Sequence, residues 1–489
     1  MESRKLKNKS LRVNAFLNSL QTLLNLIFPL ITFPYVSRIL SVDGIGKYNF
    51  SNSIVSYFLL IAGLGINRYA VREGAKIRND RNKFSEFASR IFTINLCSMF
   101  ISYILLFILL KFVPTLRIYE SAILIFSTQI FFTTIGTDWV YTIYEEYGYI
   151  TIRNVIFKLI SIVLLLMFVR KKNDYLNYVA ISVFSSTGSY ILNFFHAKKI
   201  CSIRIVWKFN WKEYLIPIMV IFGTMAAVTI YVSSDITILG FLKNNYVVGL
   251  YSISTKIYGM LGPMLSATMA VTIPRLAMMM GQNKREEYLI LLDKLLQTMI
   301  VIITPASLGL IMTSKYIILL IAGNNYLRST SSLQILSLAL FFGTINTIFV
   351  ECVLIPAKRE RQTLISAVLS ACLNVLLNFI LIPSLAENGA ALTTVLSELA
   401  AMFSNYYFSR DIVASIFLKK EFWKNFFSVV FGCVGIFMFS FSIDYYLKLN
   451  LIIKLFILVI GSALIYIIIL RIVNNKMVNE IINKYRINI

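Results

Sequence analysis

Fourteen apolar stretches of about 20 residues, each nearly free of charge, constrain this 489-residue chain more than any other feature. A helix rises about 1.5 Å per residue, so a stretch of this length crosses the hydrocarbon core of a bilayer. The stretches cover approximately residues 12–34, 49–67, 88–110, 118–140, 150–169, 175–195, 214–240, 249–272, 290–312, 331–355, 364–382, 388–408, 424–446 and 451–470. The pattern predicts an all-α polytopic membrane protein with about 14 transmembrane helices.

The distribution of positive charge predicts the orientation of these spans. The chain has 47 Lys and Arg, a formal net charge of +24 and a 58% hydrophobic composition, which is too apolar for a soluble nucleic-acid-binding protein. With a cytoplasmic N-terminus, 33 of the basic residues fall in cytoplasmic connections and 11 on the opposite side. This asymmetry is the positive-inside pattern, so we expect both termini in the cytoplasm. Residues 170–172 (RKK) run against it.

Catalytic and metal-binding signals are absent from the sequence. The N-terminal residues lack the apolar core and cleavage site of a signal peptide, so we expect the first span to be retained. The five cysteines show no CxxC spacing, and the single histidine, His196, lies beside lysines at a helix end, where we expect an interfacial position. No outward loop exceeds roughly 18 residues, which leaves no room for an external catalytic domain. We therefore expect a protein that is not an enzyme and carries no cofactor or metal.

Three short similarities indicate an internal repeat. Residues 131–137 (FFTTIGT) and 341–347 (FFGTINT) are identical at five of seven positions, 210 residues apart. Residues 66–70 (INRYA) resemble residues 273–277 (IPRLA) at a separation of 207. The third similarity joins residues 46–51 to residues 249–254.

Span 1 then corresponds to span 7, which predicts two six-helix lobes of equal orientation with a substrate cleft between them. We expect an N-terminal lobe over residues 1–200, a C-terminal lobe over 210–410, and two appended helices with a tail over 420–489.

Several motifs together resemble the polysaccharide transporter family, the O-antigen flippase type, of the multidrug/oligosaccharidyl-lipid/polysaccharide exporter superfamily. They are residues 32–40 (TFPYVSRIL) with 44–48 (GIGKY), 63–73 (GLGINRYAVRE), 235–240 (DITILG) with 248–251 (VGLY), 273–276 (IPRL), 355–358 (IPAK), 374–378 (NVLLN) and 388–391 (NGAA). The resemblance covers residues 10 to 410 approximately. It implies a V-shaped bundle of two lobes that moves a polyprenyl-diphosphate-linked oligosaccharide to the outer leaflet by alternating access.

A lipid diphosphate needs cations along its route, and arginine suits it because the planar guanidinium binds phosphate oxygens in pairs. Arg68 and Arg275 correspond in the repeat, at the cytoplasmic ends of spans 2 and 8, and are the first candidates for its capture. The alternative is that both are ordinary inner-surface arginines. Arg38, near the outer end of span 1, could aid release or closure of an outer gate, or could bind phospholipid head groups.

Charged residues inside spans form a second group of candidates. Lys256 lies on the order of 10 Å from the outer end of span 8, and Asp235 reaches a similar depth in span 7. They form either a structural ion pair or a switch that substrate or a coupling ion opens. Lys158 in span 5 could snorkel toward the inner surface near Arg153.

Two carboxyl groups and one polar stripe complete the set. Glu351 and Glu398 are candidate proton or sodium sites, since a buried carboxyl group can hold a proton. Span 1 carries Asn14, Asn18, Gln21 and Asn25 on one helical face, which suits either a hydrated cavity for sugar hydroxyls or hydrogen bonds between helices.

The leading interpretation is a flippase for a lipid-linked O-antigen or capsule repeat unit in the bacterial inner membrane. Its partners would be the glycan lipid, membrane lipids and glycan-assembly proteins, with no nucleic acid. The alternatives are a cation-coupled multidrug exporter of the same superfamily, for which acidic cavity groups would be expected, and a membrane glycan polymerase, for which a large external loop would be expected.

Overall fold

The computed structural model describes residues 11–447 and 449–480, without the side chains of residues 11, 12, 14–16, 18, 19, 22 and 26. All regular structure in these ranges is helical. The chain divides into two compact units, Met1–Phe241 (unit 1) and Leu242–Ile489 (unit 2). The three-part division expected from the sequence stays a prediction.

The described part of unit 1 contains ten α-helices and a 3-10 helix, Pro114–Tyr119. The α-helices are α1 (Leu11–Ile39), α2 (Val42–Gly63), α3 (Ile66–Ile77), α4 (Arg81–Phe112), α5 (Glu120–Gly136), α6 (Asp138–Ile143), α7 (Tyr147–Phe168), α8 (Tyr175–Thr187), α9 (Tyr190–Ile200) and α10 (Trp211–Leu242), whose last residue already belongs to unit 2.

The described part of unit 2 contains seven α-helices, a short 3-10 helix, Asn324–Tyr326, and a π-helix, Phe349–Leu354. The α-helices are α11 (Asn245–Met269), α12 (Thr272–Gly281), α13 (Arg285–Ile321), α14 (Ser329–Ile348), α15 (Glu360–Phe417), α16 (Lys420–Tyr446) and α17 (Leu451–Ile472). The appended pair α16 and α17 packs on α13, where the Tyr466 hydroxyl donates to the Val301 carbonyl at 2.8 Å.

The helices are apolar on their outer faces, as a bilayer requires. Phe100, Ile104 and Phe107 of α4 are more than half exposed, while the α4 hydroxyls of Ser98 and Ser102 are buried and donate to backbone carbonyls of α2. Exposed apolar surface of this extent is stable in lipid and not in water. The chain is a multi-pass membrane protein.

Ten helical segments in the described residues are long and apolar enough to span a membrane, or eleven if the bent pair α11 and α12 forms one span. Every predicted span coincides with helix, but three departures affect the count. Span 6 is broken at Gly188–Ser189 into the short helices α8 and α9. Spans 11 and 12 are joined in α15 around non-helical Ala386, and α1 contributes only the shorter apolar segment Leu23–Ile39. The number fourteen therefore stays a prediction.

Corresponding interactions inside each unit support the sequence repeat. Phe131 and Phe132 on α5 meet edge to face with ring centroids 5.5 Å apart, and Phe341 and Phe342 on α14 do the same at 5.5 Å. Tyr48 of α2 bonds Ser182 of α8.

The equivalent tyrosine of α11, Tyr251, bonds Thr394 in the second half of α15 at 3.2 Å. The two repeats thus use the same residue positions for the same internal packing.

Candidate functional site

Arg68 and Arg275 each lie in the first turn of a short helix that follows a break in a longer one. Arg68 is the third residue of α3, after Leu64 and Gly65 interrupt α2 with left-handed backbone angles. Arg275 is the fourth residue of α12, which bends by 50° from α11. Neither short helix has a side-chain N-cap bond. Both arginines therefore belong to the first turn of a helix without a side-chain cap, and the partial positive charge of a helix start favours anions.

Both arginines are exposed, and within the described residues neither makes an ion pair or a side-chain hydrogen bond. Other arginines in the same units, by contrast, are paired with carboxylates. In unit 1, Arg72 binds Glu73 at 2.8 Å and Arg78 binds Glu145 at 2.8 Å. In unit 2, Arg359 forms a two-pronged pair with Asp411 at 2.7 and 2.6 Å. The repeat-related arginines are thus left available to an external anion.

The two deep charges fall in different units. Asp235 is buried on α10, beside a hydroxyl seam with α2 in which Thr237 bonds both Ser53 and Tyr57 at 3.1 Å. Lys256 is half-buried on α11. Both side chains have interaction partners, and the sequence-based expectation that they pair with each other stays a prediction.

Of the candidates on α1, Arg38 and Asn25 have described side chains. Arg38 is exposed at the end of α1 and has an interaction partner. Asn25 accepts a hydrogen bond from Lys158 of α7, so the structure brings these two candidates together. The side chains of Asn14 and Asn18 lie outside the described residues.

Both candidate carboxyl groups lie in irregular or close-packed regions of unit 2. Glu351 is half-buried in the π-helix, a distortion that is frequent at functional sites, and makes no ion pair or hydrogen bond with the described residues. The Glu398 carboxyl group packs against Gly343, where an added Cβ would approach it to 3.2 Å. Their roles in ion coupling stay predictions.

The sequence did not reveal Arg153 on α7, the most buried charged side chain among the described residues of unit 1. Its side chain is 3% exposed and lies 3.3 Å from Asp138 of α6. It also donates to the amide oxygen of Asn193 on α9, whose nitrogen donates to Asp138 at 2.7 Å. The rings of Tyr149 and Tyr190 cover the guanidinium at 5.8 and 5.4 Å. We call Arg153, Asp138 and Asn193 the buried triad.

His196 belongs to the same region. Its ring is half-buried and stacks on Tyr149 with a centroid distance of 4.6 Å and on Tyr141 at 5.7 Å.

The sequence contains one signal for Arg153, a charged residue only a few positions inside a predicted span. Its partners Asp138 and Asn193 could not be predicted, because they are 15 and 40 residues away in the chain.

The arrangement at the two helix breaks is suited to binding an anion. The described residues hold no group of three His, Cys, Asp or Glu that could bind a metal ion, and all five cysteines are free. At the breaks before α3 and α12, Arg68 and Arg275 have no acidic partners among the described residues. An arginine can bind two oxygens of one phosphate at once.

Comparison with known proteins agrees with this picture. A family model described as polysaccharide biosynthesis protein matches residues 11–280. A protein of Escherichia coli (strain K12) named for O-antigen transport is 23% identical over 76% of this chain and 90% of its own length. The capsular polysaccharide biosynthesis protein CapF of Staphylococcus aureus is 23% identical over 77% of this chain and 93% of its own.

Two solved structures share the fold. The lipid II flippase MurJ in an inward closed conformation aligns over 94% of this chain and 98% of its own, with a TM-score of 0.74 and 16% identity. An inward-facing multidrug resistance MATE family transporter aligns over 82% and 96%, with a TM-score of 0.62 and 16% identity. Because the family match covers more than half of the chain, the protein belongs to the polysaccharide biosynthesis protein family and has the membrane-transporter fold that MurJ and MATE proteins share.

Proposed function

We propose that this protein is a flippase that moves a polyprenyl-diphosphate-linked oligosaccharide, an O-antigen or capsule repeat unit, across the bacterial inner membrane by alternating access. One observation carries the proposal: Arg68 and Arg275, at corresponding positions of the repeat, are exposed and lack acidic partners in the described residues. Arg72, Arg78 and Arg359, by contrast, are paired with carboxylates. The family and the names of the two relatives support the substrate class.

The physical difficulty of this reaction is the diphosphate. An ionised phosphate is far too costly to leave bare in a low-dielectric bilayer, so the carrier must replace its water with cations and donors. Each of the two arginines, at its own uncapped helix start, supplies paired N–H groups together with the partial positive charge of the helix end. The neutral parts of the glycan demand only hydroxyl and amide partners, such as those on α1, α2 and α10.

Orientation is part of the proposal. With both termini in the cytoplasm, the starts of α3 and α12 lie at the cytoplasmic ends of α2 and α11, where a lipid-linked product of cytoplasmic glycosyl transfer would enter. Binding there would load the inward-facing state, and release would follow when the opposite side opens. No covalent bond changes in this cycle.

We expect Arg68→Ala and Arg275→Ala each to reduce surface-glycan export at least tenfold, because a charge-assisted hydrogen bond to phosphate contributes about 1.5–3 kcal/mol. Export is measured as surface glycan in a strain that lacks the chromosomal copy, with protein level in the membrane as a reference. Arg72→Ala is the matched control: Arg72 lies one turn away but is paired with Glu73, so its loss should leave export within about twofold.

Normal export by both mutants would exclude these arginines from transport. The multidrug alternative is separated from the proposal in reconstituted vesicles. Efflux of cationic dyes without movement of a fluorescent lipid-diphosphate glycan would transfer the function to that alternative.

A further inference from the structure

A cluster of cations that does not include Arg68 lies in unit 1. A cavity of about 560 Å³ is lined by Arg81, Asn82, Ser85, Lys198, Ser202, Ile203 and Arg204. It lies where α4 begins and α9 ends, so it is at the level of a membrane surface. We call it the α4–α9 pocket.

The three cations of this pocket have no carboxylate partners among the described residues, because the acidic side chains nearby are already used. Asp80 accepts from the backbone amides of Lys83 and Asn82, which hold its pKa below the ordinary value, and it pairs with Lys83. Glu86 pairs with Arg90. Since Asp80 already caps α4, the positive character of the pocket comes from side chains and not from free helix amides.

The pocket is preformed by an extended segment that is fixed along α4. The backbone amides of Ser202, Arg204 and Val206 donate to the hydroxyls of Ser85, Ser89 and Thr93 at 3.1, 3.1 and 3.0 Å. The three acceptors are four residues apart on one face of α4, and they match the two-residue period of an extended chain. The backbone of Arg204 is therefore held in place before any ligand binds, which lowers the entropic cost of binding.

The surroundings of the pocket are those of a lipid-facing surface. On α9, Leu192 and Phe195 are 51% and 63% exposed one to two turns before Lys198. Beyond Arg204, Ile205 and Trp207 are 55% and 65% exposed. Apolar chains can lie along these residues while a head group occupies the pocket, and basic pockets at helix ends are suited to anionic lipid heads.

We infer that the α4–α9 pocket binds the phosphate-bearing head group of a membrane lipid. Two lipids supply this chemistry: an anionic phospholipid, and an isoprenoid diphosphate waiting at the same membrane surface. The first does not depend on the proposed transport function, whereas the second rests on it. Under the proposed orientation the pocket opens to the cytoplasmic leaflet.

The test is native mass spectrometry of the full-length protein in neutral detergent, with phosphatidylglycerol, phosphatidylcholine or farnesyl diphosphate added separately. Each cation near a membrane surface contributes about 1 kcal/mol to the binding of an anionic lipid, so R81Q/K198Q/R204Q should bind roughly a hundredfold more weakly. The control K111Q/K171Q/K172Q removes three exposed charges elsewhere in unit 1 and should keep its affinity. The single variant R204Q, at an exposed position, tests the site without risk to folding.

If the pocket variants lose binding of phosphatidylglycerol and the control does not, the pocket is a phospholipid site. If they lose binding of farnesyl diphosphate and keep binding of phosphatidylglycerol, it is a substrate-waiting site. Equal loss in the control, or unchanged binding in the pocket variants, would overturn the inference. Glycan export by the same variants is measured separately. Normal binding with failed export would concern the proposed function and not the pocket.

Discussion

At the scale of single residues, what separates one arginine from another is its partner. Arg68 and Arg72 lie four residues apart on α3, and Arg153 lies in the second turn of α7. The structure leaves the first exposed without an acidic partner among the described residues, pairs the second with Glu73 and buries the third in the buried triad. The energetic consequences differ, because an exposed pair contributes little and a buried charge depends on its partner.

Removing Asp138 should destabilise unit 1 strongly. We expect Asp138→Ala to cost about 3 kcal/mol, since Arg153 would remain buried without its carboxylate. The double variant D138A/R153M should recover most of this loss, because no buried charge is left. Thermal unfolding of the purified protein measures both.

Glu86→Ala is the comparison, because it removes the partner of the more exposed Arg90 and should cost less than about 1 kcal/mol. If D138A/R153M is no more stable than D138A, the uncompensated charge is not the cause.

At the scale of helices, the breaks between helices set the direction of the segments that carry the candidate residues. The junction of α2 and α3 depends on Gly65, whose φ of 76° is in the left-handed region. A Cβ there would lie 2.7 Å from Cγ2 of Ile221 on α10. Glycine is therefore required twice, for backbone angle and for space, at the position that sets the direction of the helix carrying Arg68.

Gly65→Ala should reduce the free energy of unfolding by about 1–2 kcal/mol through the backbone angle alone, and contact with Ile221 should add to this. Gly63→Ala is a close control, because Gly63 is helical and has open space at its Cβ position. That variant should be neutral or slightly more stable. Equal melting temperatures for the two variants would contradict the requirement.

The sequence predicted the helices well and their interruptions poorly, for a physical reason. A run of about 20 apolar residues predicts a transmembrane span, and such a run is a local property of the sequence. The break at Leu64–Gly65, by contrast, lies against Ile221 of α10, a neighbour that is distant in the chain. The same applies to the candidate site. The repeat predicted Arg68 and Arg275 as candidates, whereas the buried triad joins residues of α6, α7 and α9 that no local pattern connects.

At the scale of the whole molecule, topology decides which side each connection faces. The loop with Arg170, Lys171 and Lys172 is a tight turn in which Asp174 accepts from the amides of Arg170 and Lys171 at 3.0 and 2.8 Å. It is followed by α8 and α9, neither of which is long enough to span a membrane alone. If α8 and α9 together cross the membrane once, every later span has the predicted orientation. If they do not cross, the orientation of every later span is reversed.

We expect α8 and α9 to cross as one broken span. A periplasm-dependent phosphatase fused after Lys172 should then be active, and the same enzyme fused after Arg204 should be inactive. A cytoplasm-dependent fluorescent protein at the same two positions serves as the reciprocal control. The same reporter response at both positions would show that α8 and α9 do not cross, and the span count would fall.

The helix α10 opens the second sequence repeat, yet its packing places it in unit 1. Ser233 lies 3.1 Å from Ser56, and Tyr214 accepts from Arg90 at 2.8 Å. The boundary created by duplication and the boundary of packing therefore differ by one helix. A cut at the start of the second repeat would separate α10 from its hydrogen-bonding partners on α2 and α4. Residues 201–210 therefore connect two parts of one packed unit, although they lie where the two sequence repeats meet.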